Sequence, residues 1–113
     1  MSFRYEKLDT WLLSLEYVDS MFGLTQQLPQ DEPLDLKTHI MRAAVSITVD
    51  VATTTMVRDP EKVGLLNSAL RSVIETAMYQ TQCGRRGYIM DRGYLAQLNS
   101  QAEELANSII AMR

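Results

Sequence analysis

The stretch Val45-Ser46-Ile47-Thr48-Val49-Asp50-Val51 alternates apolar and polar residues without a break. That is the rhythm of a strand with one face buried. Whether these residues form a strand or a helix decides the architecture of the whole chain. A strand needs a partner to pair with, and no other segment alternates over a comparable length. On a helical wheel the same region resolves into two stripes, Ile40, Ala44, Ile47 and Val51 on one and Met41, Val45, Val49, Ala52 and Met56 on the other. Two stripes on one helix mimic alternation. The β-branched residues lower helix propensity by about a few tenths of a kcal/mol each, a sum that tertiary packing commonly overrides. The segment is read as a helix.

Three breaks divide the rest. Pro29 and Pro33 bracket an acidic run that a helix interior does not tolerate. Asp59 and Pro60 read as the cap and first position of a new helix, with Glu61 in its first turn. Gly84 and Gly87 read as stop signals, and Asp91 as the next cap. Between the breaks, apolar residues step by three and four: Leu8, Leu12, Leu15, Val18 and Phe22 in the first segment, and Val63, Leu66, Leu70, Val73 and Ala77 in the third. Leu95, Leu98, Ala102, Leu105, Ile109 and Met112 do the same in the fourth. The expected fold is all-α, one up-and-down four-helix bundle over residues 1–113. Such a bundle buries one face per helix, so the stripe of Met41, Val45, Val49, Ala52 and Met56 is expected to be covered by another subunit.

Composition narrows the functions. Cys83 is the only cysteine, which excludes an intramolecular disulfide or a multi-cysteine metal site and suits a reducing compartment. Arg4, Glu6, Lys7 and Asp9 stand where a signal peptide needs an apolar run, and no apolar stretch reaches membrane-spanning length, so a cytoplasmic protein without membrane contact is expected. The net charge of −3 lacks the basic balance of a protein held to nucleic acid chiefly by phosphate neutralisation. Any such binding must use a local patch.

The segment LPQDEPLDLKTHIMRAAVSITVDVA resembles the signature of bacterial four-helix bundle proteins encoded in intervening sequences of large-subunit rRNA genes, a family that includes the accessory variability proteins of diversity-generating retroelements. The matching positions are Leu28, Pro29, Glu32, Leu36, Arg42, Ala43, Ala44, Val45, Ser46 and Ile47, with Leu8 and Trp11 upstream and Ala69, Ser72 and Glu75 downstream. The chain departs from the pattern at Asp50, Val51, Ala52, Thr53 and Thr54, where the family usually reads Asn-Ile-Ala-Glu-Gly, and at Arg71, where it usually has Gly. The resemblance implies a homopentameric ring. In the retroelement branch it further implies binding to a reverse transcriptase and its template RNA through basic surface.

Arg85, Arg86 and Arg92 form the one basic run suited to phosphate, although Asp31, Glu32 and Asp35 are expected at the same end of the bundle and would neutralise it in part. His39 lacks the partners a metal site requires, since Leu36 stands where a Glu-x-x-His motif needs its glutamate, and an inter-helix hydrogen bond is expected instead. Asp50 is expected at the subunit boundary or in water. Arg42 and Glu75 are expected to form an ion pair that fixes helix register. Arg85 and Arg86 beside Cys83 suggest a depressed thiol pKa, but neither a base nor an orienting partner is present to make it a nucleophile. The expectation is a non-enzymatic oligomeric adaptor with no metal or cofactor. A ring that binds only protein is the competing reading.

Overall fold

A computed structural model describes residues 3–113. Four helices follow one another, α1 (Asp9–Thr25), α2 (Leu36–Thr53), α3 (Asp59–Arg85) and α4 (Arg92–Met112), with 3-10 turns at Arg4–Lys7 and Thr54–Met56. No strand occurs among the described residues. Each helix packs on its neighbours in sequence and α4 returns to α1, which makes a four-cornered bundle. A 27-residue helix is about 40 Å long, and α3 accordingly spans most of the 43 Å long axis. No helix among the described residues is long and apolar enough to cross a membrane.

The ambiguous stretch is helical because its polar residues carry their own hydrogen bonds. The hydroxyls of Ser46, Thr48, Thr53 and Thr54 donate to the carbonyls of Ala43, Val45, Val49 and Val51 at 2.6–2.7 Å. This back-bonding lets hydroxyl residues sit mid-helix without reaching for water. Ile40, Ala44, Ile47 and Val51 are fully buried.

The α4 stripe faces the core as expected, with Leu98, Ala102, Leu105 and Ile109 buried. In α1 the expected face is inward only in part, since Leu8 and Val18 pack against the core but the centre of the buried face lies elsewhere. The helix buries Thr10, Ser14, Tyr17, Met21, Leu24 and Thr25, and leaves Leu12, Leu15 and Phe22 at 40–52% exposure. The polar members of the buried face are satisfied there: Ser14 donates to the Trp11 carbonyl, Thr25 to that of Phe22, and Thr10 pairs with Ser108 of α4. Since their desolvation is offset, they compete with leucine for the interior. In α3, Leu66 and Val73 are buried as expected, but Val63 is 47% exposed, and Ala69, Thr76, Gln80 and Cys83 complete the inward face.

Helix α3 also starts one residue earlier than its sequence suggests. Arg58 is the cap and Asp59 lies within the first turn, where its carboxylate pairs with Lys62 at 3.2 Å instead of capping. Gly84 does not stop the helix either; it lies within α3, where a Cβ would meet Leu95 Cδ1 at 3.0 Å, so glycine permits the close approach of α4.

Candidate functional site

The α3–α4 connection is fixed at both ends. Gly87 adopts φ 75°, the left-handed conformation that glycine accepts without a Cβ penalty. The Tyr88 amide donates to the Cys83 carbonyl at 3.0 Å and the Gly87 amide to that of Gly84 at 3.1 Å, a Schellman closure. At the far side Asp91 accepts from the Tyr94 amide at 3.0 Å and caps α4. Buried Ile89 plugs the turn. The result sets Arg85 at the last position of α3 and Arg92 at the first of α4, both exposed. They line one recess with Thr81, Gly84, Ile89, Met90 and Leu95. Arg86 is exposed beside it but does not line it.

Contact neutralisation of these arginines does not occur: among the described residues the one ion pair is Lys62–Asp59. The acidic residues of the first connection are engaged locally. Glu32 accepts from the Leu34 amide at 3.0 Å and the Leu36 amide at 2.7 Å, and so caps α2 in place of Asp35. Asp35, in the left-handed region at φ 52°, accepts from Thr38 Oγ1. Glu32 nevertheless acts on its surroundings through space. Burial, reinforced by the Glu32 charge, raises the Cys83 thiol from 9.0 to about 11. The depressed thiol suggested by the neighbouring arginines is therefore corrected, because desolvation penalises a thiolate that has no ion partner in contact.

The second candidate surface is the outer face of α2. Val45 is 44% exposed, Val49 56% and Met56 65%, with Met41 and Ala52 half-buried between them. Met41, Arg42, Val45, Ser46, Val49 and Asp50 line a shallow, mainly apolar depression there. Toward α3 the face is bounded by a 2.8 Å hydrogen bond between Ser46 and Ser72. Because the Ser46 proton is directed to the Ala43 carbonyl, Ser72 is the donor.

The remaining polar positions differ from expectation. His39 is exposed and meets Tyr79 of α3 ring to ring, with centroids 6.3 Å apart, so its inter-helix contact is aromatic and not the expected hydrogen bond. Arg42 and Glu75 form no ion pair; Glu75 instead accepts from the Tyr79 hydroxyl at 3.2 Å, within one turn of α3. Asp50 is half-buried, and its Oδ2 is buried without a hydrogen-bond partner. Among the described residues no three His, Cys, Asp or Glu side chains are grouped to hold a metal ion.

Sequence reasoning passed over one arrangement. Tyr17, Thr76 and Gln80 meet in the interior, with the Tyr17 oxygen 2.7 Å from both Thr76 Oγ1 and Gln80 Nε2. Its signal was the inward heptad line of α3, Ala69, Val73, Thr76, Gln80 and Cys83, in which two polar residues occupy core positions.

No curated protein matches the chain. A crystal structure of a protein with unknown function from the S23 ribosomal protein family of Bacteroides thetaiotaomicron superposes with a TM-score of 0.81 at 21% identity, covering 91% of this chain and 93% of that one. At that identity the likeness establishes the four-helix fold alone. The family model described as 23S rRNA-intervening sequence protein matches residues 6–111, and the chain belongs to that family.

Proposed function

We propose that this protein is a non-enzymatic, cytoplasmic homo-oligomeric adaptor whose subunits associate through the outer face of α2, as a pentameric ring. The observation that carries the reading is the exposed apolar stripe of Val45, Val49 and Met56, with Met41 and Ala52, on a helix whose other face already fills the core. A monomer gains nothing by presenting that surface to water, whereas burial recovers about 25 cal/mol per Å² of apolar area.

As an adaptor, the assembly takes a reverse transcriptase and its template RNA as partners, in the manner of an accessory protein of a diversity-generating retroelement. Arg85, Arg86 and Arg92 form the RNA-facing cluster. Support comes from family membership and from three exposed arginines without contact ion pairs, which a ring would repeat around its axis. A second reading, a scaffold that binds only protein, is favoured by the net charge of −3 and the pI near 5.0. The solution mass of the wild type tests the assembly. Titration with a structured RNA at increasing salt separates the two adaptor readings, since phosphate contacts impose a salt dependence that protein-only binding lacks.

A further inference from the structure

A second apolar stripe lies on the outside of α3. Ile74 is 60% exposed, Met78 63% and Val63 47%, while the opposite side of the same helix fills the core with Leu66, Ala69 and Val73. Leu70, half-buried, continues the line one turn before Ile74. Ser72, through its hydrogen bond to Ser46, marks the edge of α3 that meets α2. At about 100° per residue, Ile74 and Met78 stand about 160° and 120° around the helix from that edge. They turn away from α2. Exposed Arg71 and Glu75 fall between, so a polar strip parts this stripe from the one on α2.

Two separate stripes constrain how copies of the chain can meet. A two-fold contact sets one patch against the same patch of its partner, so a dimer through α2 would leave the α3 stripe in water. A head-to-tail contact covers both. The stripes match in length, since Met41 to Met56 and Val63 to Met78 each advance by 15 residues, about 22 Å of helix. Their borders match in charge as well. Arg42 lines the α2 depression, is exposed and forms no ion pair among the described residues, and Glu75 is exposed with the Tyr79 hydroxyl on its carboxylate. The exposed residues of α1 fit less well, because Asp19 stands one turn from both Leu15 and Phe22 and would carry its charge into the contact.

We propose that the α3 stripe is covered by the α2 stripe of a second copy of this chain, so that each subunit offers α2 to one neighbour and α3 to the other. Val63, Ile74 and Met78 then bury against Val45, Val49 and Met56, and Arg42 of one copy pairs with Glu75 of the next. Such a contact closes into a ring when its rotation allows. The inference rests on the reading of the outer face of α2 as a subunit interface.

Light scattering on Val45→Glu, on Ile74→Glu and on their equimolar mixture tests it, with circular dichroism as the check on folding. Each variant alone should be a monomer of 12.8 kDa, because each lacks one of the two faces. The mixture should give twice that mass and nothing larger, since the intact α3 stripe of one variant meets the intact α2 stripe of the other once. Should Ile74→Glu lose helical content, Met78→Glu takes its place. An Ile74→Glu protein that keeps the wild-type mass while Val45→Glu dissociates overturns the α3 assignment and leaves the α2 interface standing; dissociation by Leu15→Glu in place of Ile74→Glu does the same and moves the contact to α1. Val45→Glu dimers that ignore the second variant reveal two-fold contacts and overturn the pairing, as does a mixture that stays monomeric. A Val45→Glu protein of wild-type mass overturns the α2 interface and this inference with it.

Discussion

Gln80 Nε2 donates to the Tyr17 hydroxyl at 2.7 Å, joining α3 to α1 across the diagonal of the bundle. Tyr17 is fully buried, and burial raises its phenol pKa against the lowering effect of its hydrogen bonds to Thr76 and Gln80. Replacing it with Phe keeps the ring but removes the partner of a buried amide donor, a loss of about 1–3 kcal/mol. Chemical denaturation of Tyr17→Phe should show a lower midpoint with an unchanged slope. A midpoint equal to that of the wild type would mean that the hydroxyl contributes nothing.

Glu32 links the start of α2 to the thiol at the end of α3. Changing it to Gln should weaken the cap of α2 by about 1 kcal/mol and, by removing a negative charge, move the Cys83 thiol down from about 11. The wild-type thiol is raised, so the folded state holds its proton more tightly than the unfolded chain. Its stability contribution is therefore present below pH 9.0 and lost as pH rises toward about 11. Thiolate absorbance followed against pH should report the shift in Glu32→Gln, and an unmoved titration would contradict the coupling.

Arg85 and Arg86 lie outside the apolar stripes, so Arg85→Ala/Arg86→Ala should leave the oligomer mass unchanged. If they contact phosphate, each lost contact lowers the slope of log affinity against log salt by about 0.7–0.9, multiplied by the number of subunits engaged. Gel-shift titrations at several salt concentrations measure this. A wild type without salt-sensitive RNA affinity, or a double mutant that keeps all of it, would make the cluster ordinary solvated surface.

The order of helices was legible in the sequence because its signals were strong ones. The two stripes of α2 outweighed its alternation, the α4 stripe ran unbroken, and the Gly87 turn and Asp91 cap carried their own chemistry. The inward face of α1 was not legible. Counting leucines cannot anticipate that Thr10, Ser14 and Tyr17 are buried, because their hydrogen bonds are made to Ser108, to the Trp11 carbonyl and to Thr76. The same blindness hid Gln80. Arg42 and Glu75 illustrate another limit, since charge and register placed them near one another but Tyr79 lies one turn from Glu75 on the same helix and occupies its carboxylate. For the candidate site, the sequence brought the three arginines to one turn, but it did not show that Arg85 and Arg92 would share a recess while Arg86 would stand outside it.

If the outer face of α2 is covered by another subunit, as proposed, the solution mass of the protein reveals it. Multi-angle light scattering on wild type, Val45→Glu and Val49→Glu should give a wild type near five times the 12.8 kDa subunit mass. Both variants should give a smaller species of unchanged helical content, because a carboxylate buried without a partner disfavours association while the outward position spares the core. A monomeric wild type, or variants that keep the wild-type mass, would contradict the account.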